Sequence, residues 1–352
     1  MPVHSWSLNL HDDRIDIAGH LTAGEIPSLV GNKALKVLQF HTRVAESTLK
    51  LLNDQFFPRR PDVELRAYGF YGAVCDLTFT SMMSNVLHFS ADCLMDARSL
   101  EHIAGMENLE SLGIGIYHLE GFDFLDQVTP RLRRLFLGRT ASRKPRLSHL
   151  QRFSALEELY IEGQQQDIDV VSDLKHLVRL VLRSISRPDL AYLRPLQSLW
   201  SLDIKLGGIR DLSAIHAKPG IKYLELWQVR GLSDIHVISS LVGLQCLLLQ
   251  SLPQVREFPN LAALHHLRRI SLVNMKGLKD LGSLGAAPAL EDFNHADAHG
   301  MEPEDYLALL RNPAVKRALV GFGSQRQNRR FEQLRLAHGI SGIEAWSEFQ
   351  FT

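Results

Sequence analysis

Apolar residues return along most of this chain in one pattern, apolar-x-x-apolar-x-apolar, whose starts fall 21 to 24 residues apart. The clear copies are LESLGI from Leu109, LRRLFL from Leu132, LEELYI from Leu156, LVRLVL from Leu177, LWSLDI from Leu199, IKYLEL from Ile221, LQCLLL from Leu244, LRRISL from Leu267 and a degenerate LEDFNH from Leu290. A slightly wider spacing of 24 or 25 residues carried backwards meets weaker copies, SNVLHF from Ser84, RPDVEL from Arg60 and LKVLQF from Leu35, which makes twelve. Period-two alternation within each copy predicts a short strand with one buried side. A second apolar set follows at three-residue spacing, clearest at Leu232/Ile235/Ile238/Leu241, Val255/Phe258/Leu261/Leu264 and Leu278/Leu281/Leu284. That spacing predicts a tight 3₁₀ or irregular helical return. One such unit cannot bury its own apolar side, whereas a stack of them can.

These residues resemble the leucine-rich repeat family, in its short class of about 22 residues per repeat found in internalins and in the regulatory subunit of protein phosphatase 1. The resemblance covers roughly residues 30 to 300 and implies an α/β solenoid, a curved horseshoe with a parallel β-sheet on its concave face and short helical or 3₁₀ segments on the convex face. It also implies a bacterial protein of the kind that binds other proteins. One departure is marked. Where the family usually carries an asparagine three residues past the strand, this chain has Tyr117, Thr140, Gln164, Ile185, Gly207, Val229, Leu252 and Met275.

The ends of such a core need covers. Residues 1–25, with SWSLNL and RIDIAG on either side of His11-Asp12-Asp13-Arg14, predict a capping hairpin. Residues 26–300 form the repeat array. Residues 301–352 predict a helix-strand-helix-strand cap, from PEDYLALLRN, RALVGFG, RQNRRFEQLRLAHG and AWSEFQF.

The x positions of each strand face away from the core, so the candidate binding surface can be read by column. The middle column includes Phe136, Tyr160, Val181, Asp203, Glu225 and Leu248, the preceding one Arg134, Glu158, Arg179 and Tyr223, and the following one Arg183, Lys205 and Trp227. Phe136, Tyr160 and Val181 form an apolar stripe between opposite charges, and Tyr223, Trp227 and Leu248 form a second group. Each residue alone is explained by strand propensity and cross-strand pairing. Together, Trp, Tyr and Arg on an uncovered face are the residue types that anchor protein interfaces. The expected function is therefore a non-enzymatic scaffold that binds a protein on its concave face, as an adaptor or an inhibitor of the immunity type.

Composition narrows the alternatives. Lys plus Arg equals Asp plus Glu at 39 each, so no global field favours a nucleic acid or an anionic membrane. Cys75, Cys93 and Cys246 are far apart and lack metal-ligand spacing, as expected in a reducing cytoplasm. No apolar run is long enough for a membrane helix, no signal-peptide pattern opens the chain, and a monomer without cofactor is expected. Two competing readings stay open. One is an enzyme or ligand site at residues 295–330, using His295, Asp297 and His299 as metal ligands or the glycine turn GFGSQRQ as a phosphate cradle, where Ser324 also fits a plain helix N-cap. The other is a secreted effector. A ubiquitin-ligase activity of the kind carried by some bacterial repeat effectors is disfavoured, because no cysteine follows Cys246.

Overall fold

The computed structural model describes residues 6–8 as backbone and residues 13–70, 72–344 and 348–352 with their side chains. Two units divide the chain, Met1–Leu177 and Val178–Thr352. In the first, β1 (Trp6–Leu8) pairs antiparallel with β2 (Arg14–Ile17), and the sheet continues in parallel through β3 (Val37–Phe40), β4 (Glu64–Tyr68), β6 (His88–Leu94), β8 (Ser111–Ile116), β9 (Arg134–Leu137) and β10 (Glu158–Glu162). The short strands β5 (Cys75–Asp76) and β7 (Ala97–Arg98) form a separate pair. In the second unit β11 (Arg179–Arg183), β12 (Ser201–Lys205), β13 (Tyr223–Trp227), β14 (Cys246–Gln250), β15 (Arg269–Val273), β16 (Asp292–Ala296) and β17 (Arg317–Val320) lie parallel in sequence order. All twelve motif copies end in one of these strands, but the pairing of Leu65 with Leu38 and of Phe89 with Leu112 sets the copies from Arg60 and Ser84 two residues too early.

Each strand keeps its apolar positions inside. Leu224 and Leu226 of β13 and Leu247 and Leu249 of β14 are fully buried, and the three-residue-spaced set from Leu232 to Leu284 is buried beneath them. The returns are mostly 3₁₀ turns such as Ser148–Arg152, Ile168–Asp173 and His236–Ser240. Repeats approach closely there: a Cβ built on Gly243 would sit 1.9 Å from the Pro219 carbonyl oxygen.

The missing asparagines are replaced in two ways. In the second unit Ile185, Val229, Leu252 and Met275 are themselves buried core residues. The turn backbone is satisfied by main-chain bonds instead, such as Gly208 N–H to Ile185 O at 2.9 Å and Arg230 N–H to Gly207 O at 2.8 Å. In the first unit Gln164 is fully buried, and its amide donates to Gly138 O at 2.9 Å and to Thr140 Oγ1 at 3.0 Å. The strands of the second unit also leave the sheet in one conformation. Ser184, Leu206, Gln228, Ser251, Asn274 and Asp297, spaced 22 or 23 residues apart, all take positive φ between 49° and 57°. From Leu206 to Asn274 each N–H bonds the carbonyl that ends the next strand, as Leu206 to Trp227 at 2.8 Å and Asn274 to Ala296 at 2.9 Å.

The C-terminal segment departs from expectation. A 3₁₀ turn at Pro303–Tyr306, a helical turn at Leu307–Leu310, strand β17 and the helix Gln325–Ala337 follow in order. The last predicted strand does not form within the described residues 348–351, and residues 345–347 lie outside them. Ser341 makes one bridge to Arg317 instead, and residues 348–352 run along the starts of strands β12 to β15. The proposed turn residues 11 and 12 of the N-terminal hairpin also lie outside the described residues. No helix among the described residues is long and apolar enough to cross a membrane.

Candidate binding surface

The outward positions of the strands carry cross-strand networks rather than isolated side chains. In the first unit Asp16, Gln39, Arg66 and Asp92 form a ladder over four strands. Gln39 donates to Asp16 at 3.3 Å, Arg66 to Gln39 at 3.2 Å, and Arg66 forms a close ion pair with Asp92. Tyr68 also donates to Asp16, at 2.6 Å. None of these residues stood out in the sequence, because their strands follow weaker motif copies. Only Gln39 sits at an x position of a copy; Asp16 precedes the first copy, and Arg66 and Asp92 lie just past theirs on the alternation of β4 and β6.

Phe136 and Tyr160 stack on β9 and β10 with ring centroids 4.2 Å apart and planes 23° from parallel. They occupy paired positions, with Arg134 opposite Glu158 beside them. Phe136 points away from the core and keeps 41% of its surface exposed. Tyr160 donates to Glu162 at 3.1 Å, so its hydroxyl is held while its ring faces solvent beside Phe136. Arg134 donates to His88 Nδ1 at 3.2 Å. Burial and the neighbouring guanidinium lower the His88 pKa, which keeps that nitrogen an acceptor.

The second predicted group is built differently from its expectation. Asp203 and Glu225 face each other on β12 and β13, and Lys205 reaches both, at 3.0 Å and 2.9 Å. Tyr223 donates to the same Glu225 carboxylate at 2.9 Å. Asp203 is only 7% exposed. Burial, reinforced by a hydrogen bond to Glu225, pushes its carboxyl pKa up to about 6. Burial also works against ionised Glu225, but Asp203, Lys205 and Tyr223 outweigh it and hold its pKa below the ordinary value. Burial likewise opposes the Lys205 ammonium, and the two carboxylates reverse the sign. Arg183 lies over the Trp227 ring at 5.5 Å, while the indole N–H is buried without a partner. Asp203, Lys205 and Glu225 thus serve one another first, and the Trp227 ring is engaged by Arg183. Arg179 is exposed with its guanidinium 5.8 Å from the Trp200 ring, and Val181 and Leu248 are half-buried at outward positions.

The predicted ligand cluster at 295–299 does not converge. His295 occupies an inward position of β16, is fully buried, and meets the Tyr306 hydroxyl at 2.7 Å through Nδ1. Burial lowers its pKa to about 4, so it is a neutral core residue. Asp297 turns away in the left-handed strand exit, and exposed His299 contacts Phe322 O at 3.2 Å. No group of three potential metal ligands comes together among the described residues. At the glycine turn Ser324 holds the N-cap position without a side-chain cap bond; Asn328 accepts from Phe322 N–H at 2.9 Å instead. His299 fills the space beside Gly323, 2.6 Å from where a Cβ would stand.

No protein-family model matches the sequence, and no curated relative matches it. Solved structures do share the fold. An internalin, InlF of Listeria monocytogenes, aligns with a TM-score of 0.60 over 89% of this chain and 87% of its own at 16% identity. TLR13 in its complex with ssRNA13 aligns with a TM-score of 0.54 over 95% of this chain and 62% of its own at 14% identity. At such identities the likeness concerns architecture alone.

Proposed function

From the leucine-rich repeat fold that the chain adopts, we propose a non-enzymatic scaffold that binds a protein partner through the outward face of its sheet, with Phe136 and Tyr160 as the apolar anchor. The observation that carries this reading is the stacked, solvent-facing ring pair set among charged side chains. A sheet face needs no such pair for folding, since cross-strand polar ladders serve elsewhere in the same unit. Large flat side chains rimmed by charge supply the apolar centre and polar border typical of protein interfaces. Arg134 and Glu158 on one side and Glu162 on the other would fix the register of the partner. In the second unit Tyr223 and Trp227 would contribute mainly ring surface, because Glu225, Asp203 and Lys205 already satisfy each other. An adaptor and an immunity-type inhibitor are both compatible with this surface, in a cytoplasmic setting.

The test is affinity capture from the native cell with the parent chain and with Phe136→Ala/Tyr160→Ala, each compared with Val242→Ala. Val242 is 46% exposed in a turn before β14 and serves as the control. A partner recovered by the parent and the control and lost by the double variant supports the surface. Losing two hot-spot rings should weaken binding by at least ~2 kcal/mol, about thirtyfold. Equal recovery by all three chains overturns it, provided the melting temperature of the double variant stays within about 2 °C of the parent.

A further inference from the structure

Residues 348–352 lie against the starts of strands β12 to β15 with more specific contacts than a loose end requires. The Phe349 ring sits 4.7 Å from the Arg268 guanidinium and 5.0 Å from that of Arg269. Phe351 meets Trp200 at 5.1 Å and Tyr223 at 6.1 Å, and the two phenyl rings contact each other edge-on at 4.8 Å. The main chain is read as well. Arg268 donates to Gln350 O. Gln245, only 4% exposed, donates through Nε2 to Thr352 O at 2.7 Å and accepts from Thr352 N–H at 3.0 Å, and Lys222 donates to the same oxygen at 2.7 Å. The Thr352 hydroxyl also donates to the same Gln245 oxygen at 3.3 Å, so this buried carboxamide meets both main-chain groups and the side chain of one residue. Alternate-residue pockets plus main-chain bonds are how proteins hold short peptide segments.

We infer that the strand-start edge of β12 to β15 is a docking groove for a partner's short segment with aromatic residues at positions i and i+2, and that residues 348–352 hold it in cis. Phe351 still exposes 37% of its surface, so its seat is shallow enough to exchange. Beside Thr352 lies a cavity of about 400 Å³, lined among others by His265, Arg268, Glu291 and Lys316. Arg268 and Lys222 present donors to the groove, while Arg269 is paired with Asp292 and Lys316 with Glu291; the two guanidinium groups suit aromatic faces and the donors suit main-chain carbonyls. The proposal stands apart from the Phe136/Tyr160 reading, because its assay needs no natural partner and touches neither residue.

The experiment is fluorescence anisotropy with a dye-labelled peptide of sequence EFQFT, added to the full chain and to Phe349→Ala/Phe351→Ala. A tethered segment competes at an effective concentration on the order of millimolar, so freeing the groove should tighten peptide binding about tenfold or more. Adding Gln245→Ala to the double variant should abolish binding; Arg268→Ala replaces it if Gln245→Ala lowers the melt. A double variant with the parent's melt that binds no peptide overturns the proposal. So does equal affinity for parent and double variant, or equal binding of a peptide with both phenylalanines changed to alanine.

Discussion

Replacing Asp203 by asparagine should change how stability depends on pH, with a sign fixed by the environment of the carboxyl. Asp203 is buried opposite Glu225, and its pKa rises from 3.8 to about 6. At 1.36 kcal/mol per unit, that shift means folding opposes ionisation of this group by about 3 kcal/mol. A raised carboxyl pKa gives its full stabilisation below the unfolded value and loses it as pH climbs through the folded value. Asp203→Asn removes the titration while keeping the shape. The stability of the variant relative to the parent should therefore rise by about 3 kcal/mol between pH 3.5 and pH 8, with most of the change between pH 4 and 6. The loss of the Lys205 contact is an offset that varies little over this range. Urea unfolding at half-unit pH steps reads the difference. Glu225→Gln provides the opposite sign: the depressed Glu225 pKa means that the parent's advantage should fade as pH drops below about 4.5. A stability difference between Asp203→Asn and parent that stays flat within ~0.5 kcal/mol across pH 4 to 7 would refute the reasoning, because the proton would then not reside on Asp203.

Other outcomes follow from the packing. Gly243→Ala places a methyl 1.9 Å from the Pro219 carbonyl oxygen and should cost about 1–3 kcal/mol or more in chemical unfolding, since backbone must move; a neutral result would refute close packing of the two repeats at this turn. Tyr306→Phe leaves the buried His295 without its hydroxyl partner and should cost about 1–3 kcal/mol. His295 should contribute a loss of stability as pH drops from about 6.5 towards 4, because unfolding lets it take up a proton; this opposes the gain from Asp203 over the same range, and His295→Leu should remove it and leave the Asp203 slope. A slope unchanged in His295→Leu would show that the imidazole is not held neutral.

The apolar lattice made the fold legible in the sequence. Leu224, Leu226, Leu232 and Ile235 follow periods that only a strand and a tight return satisfy together. The same periodicity placed His295 at an inward position, which is where it lies, although spacing by two had also suggested a metal site. That suggestion failed because the strand ends at Ala296 and the left-handed Asp297 breaks the alternation. Columns of outward residues were legible too, and Asp203 and Glu225 share one. Their mutual engagement was not, because whether a lysine bridges two carboxylates depends on rotamers that a sequence pattern does not carry. The seat of residues 348–352 left no local trace at all. Its bonds to Lys222 and Arg268 span 130 and 82 residues, and FQF alternates as a strand would.

The shared left-handed exit of the strands from Ser184 to Asp297 bears on how this chain could change length. Five residue types occupy the six positions, so the conformation there belongs to the backbone and its bond to the next strand, with no one residue type required. Equivalent exits are therefore interchangeable seams. A whole cassette cut from one seam to the next, for instance residues 229–251, would join Gln228 to Leu252 with the same torsion on its near side and a buried apolar residue where Val229 had stood. Lengthening by duplication would follow the same rule. The array thus carries its own rule for growth and loss in steps of 22 or 23 residues, and the segment at 348–352, tied to four particular strand starts, is the part that such a step would throw out of place.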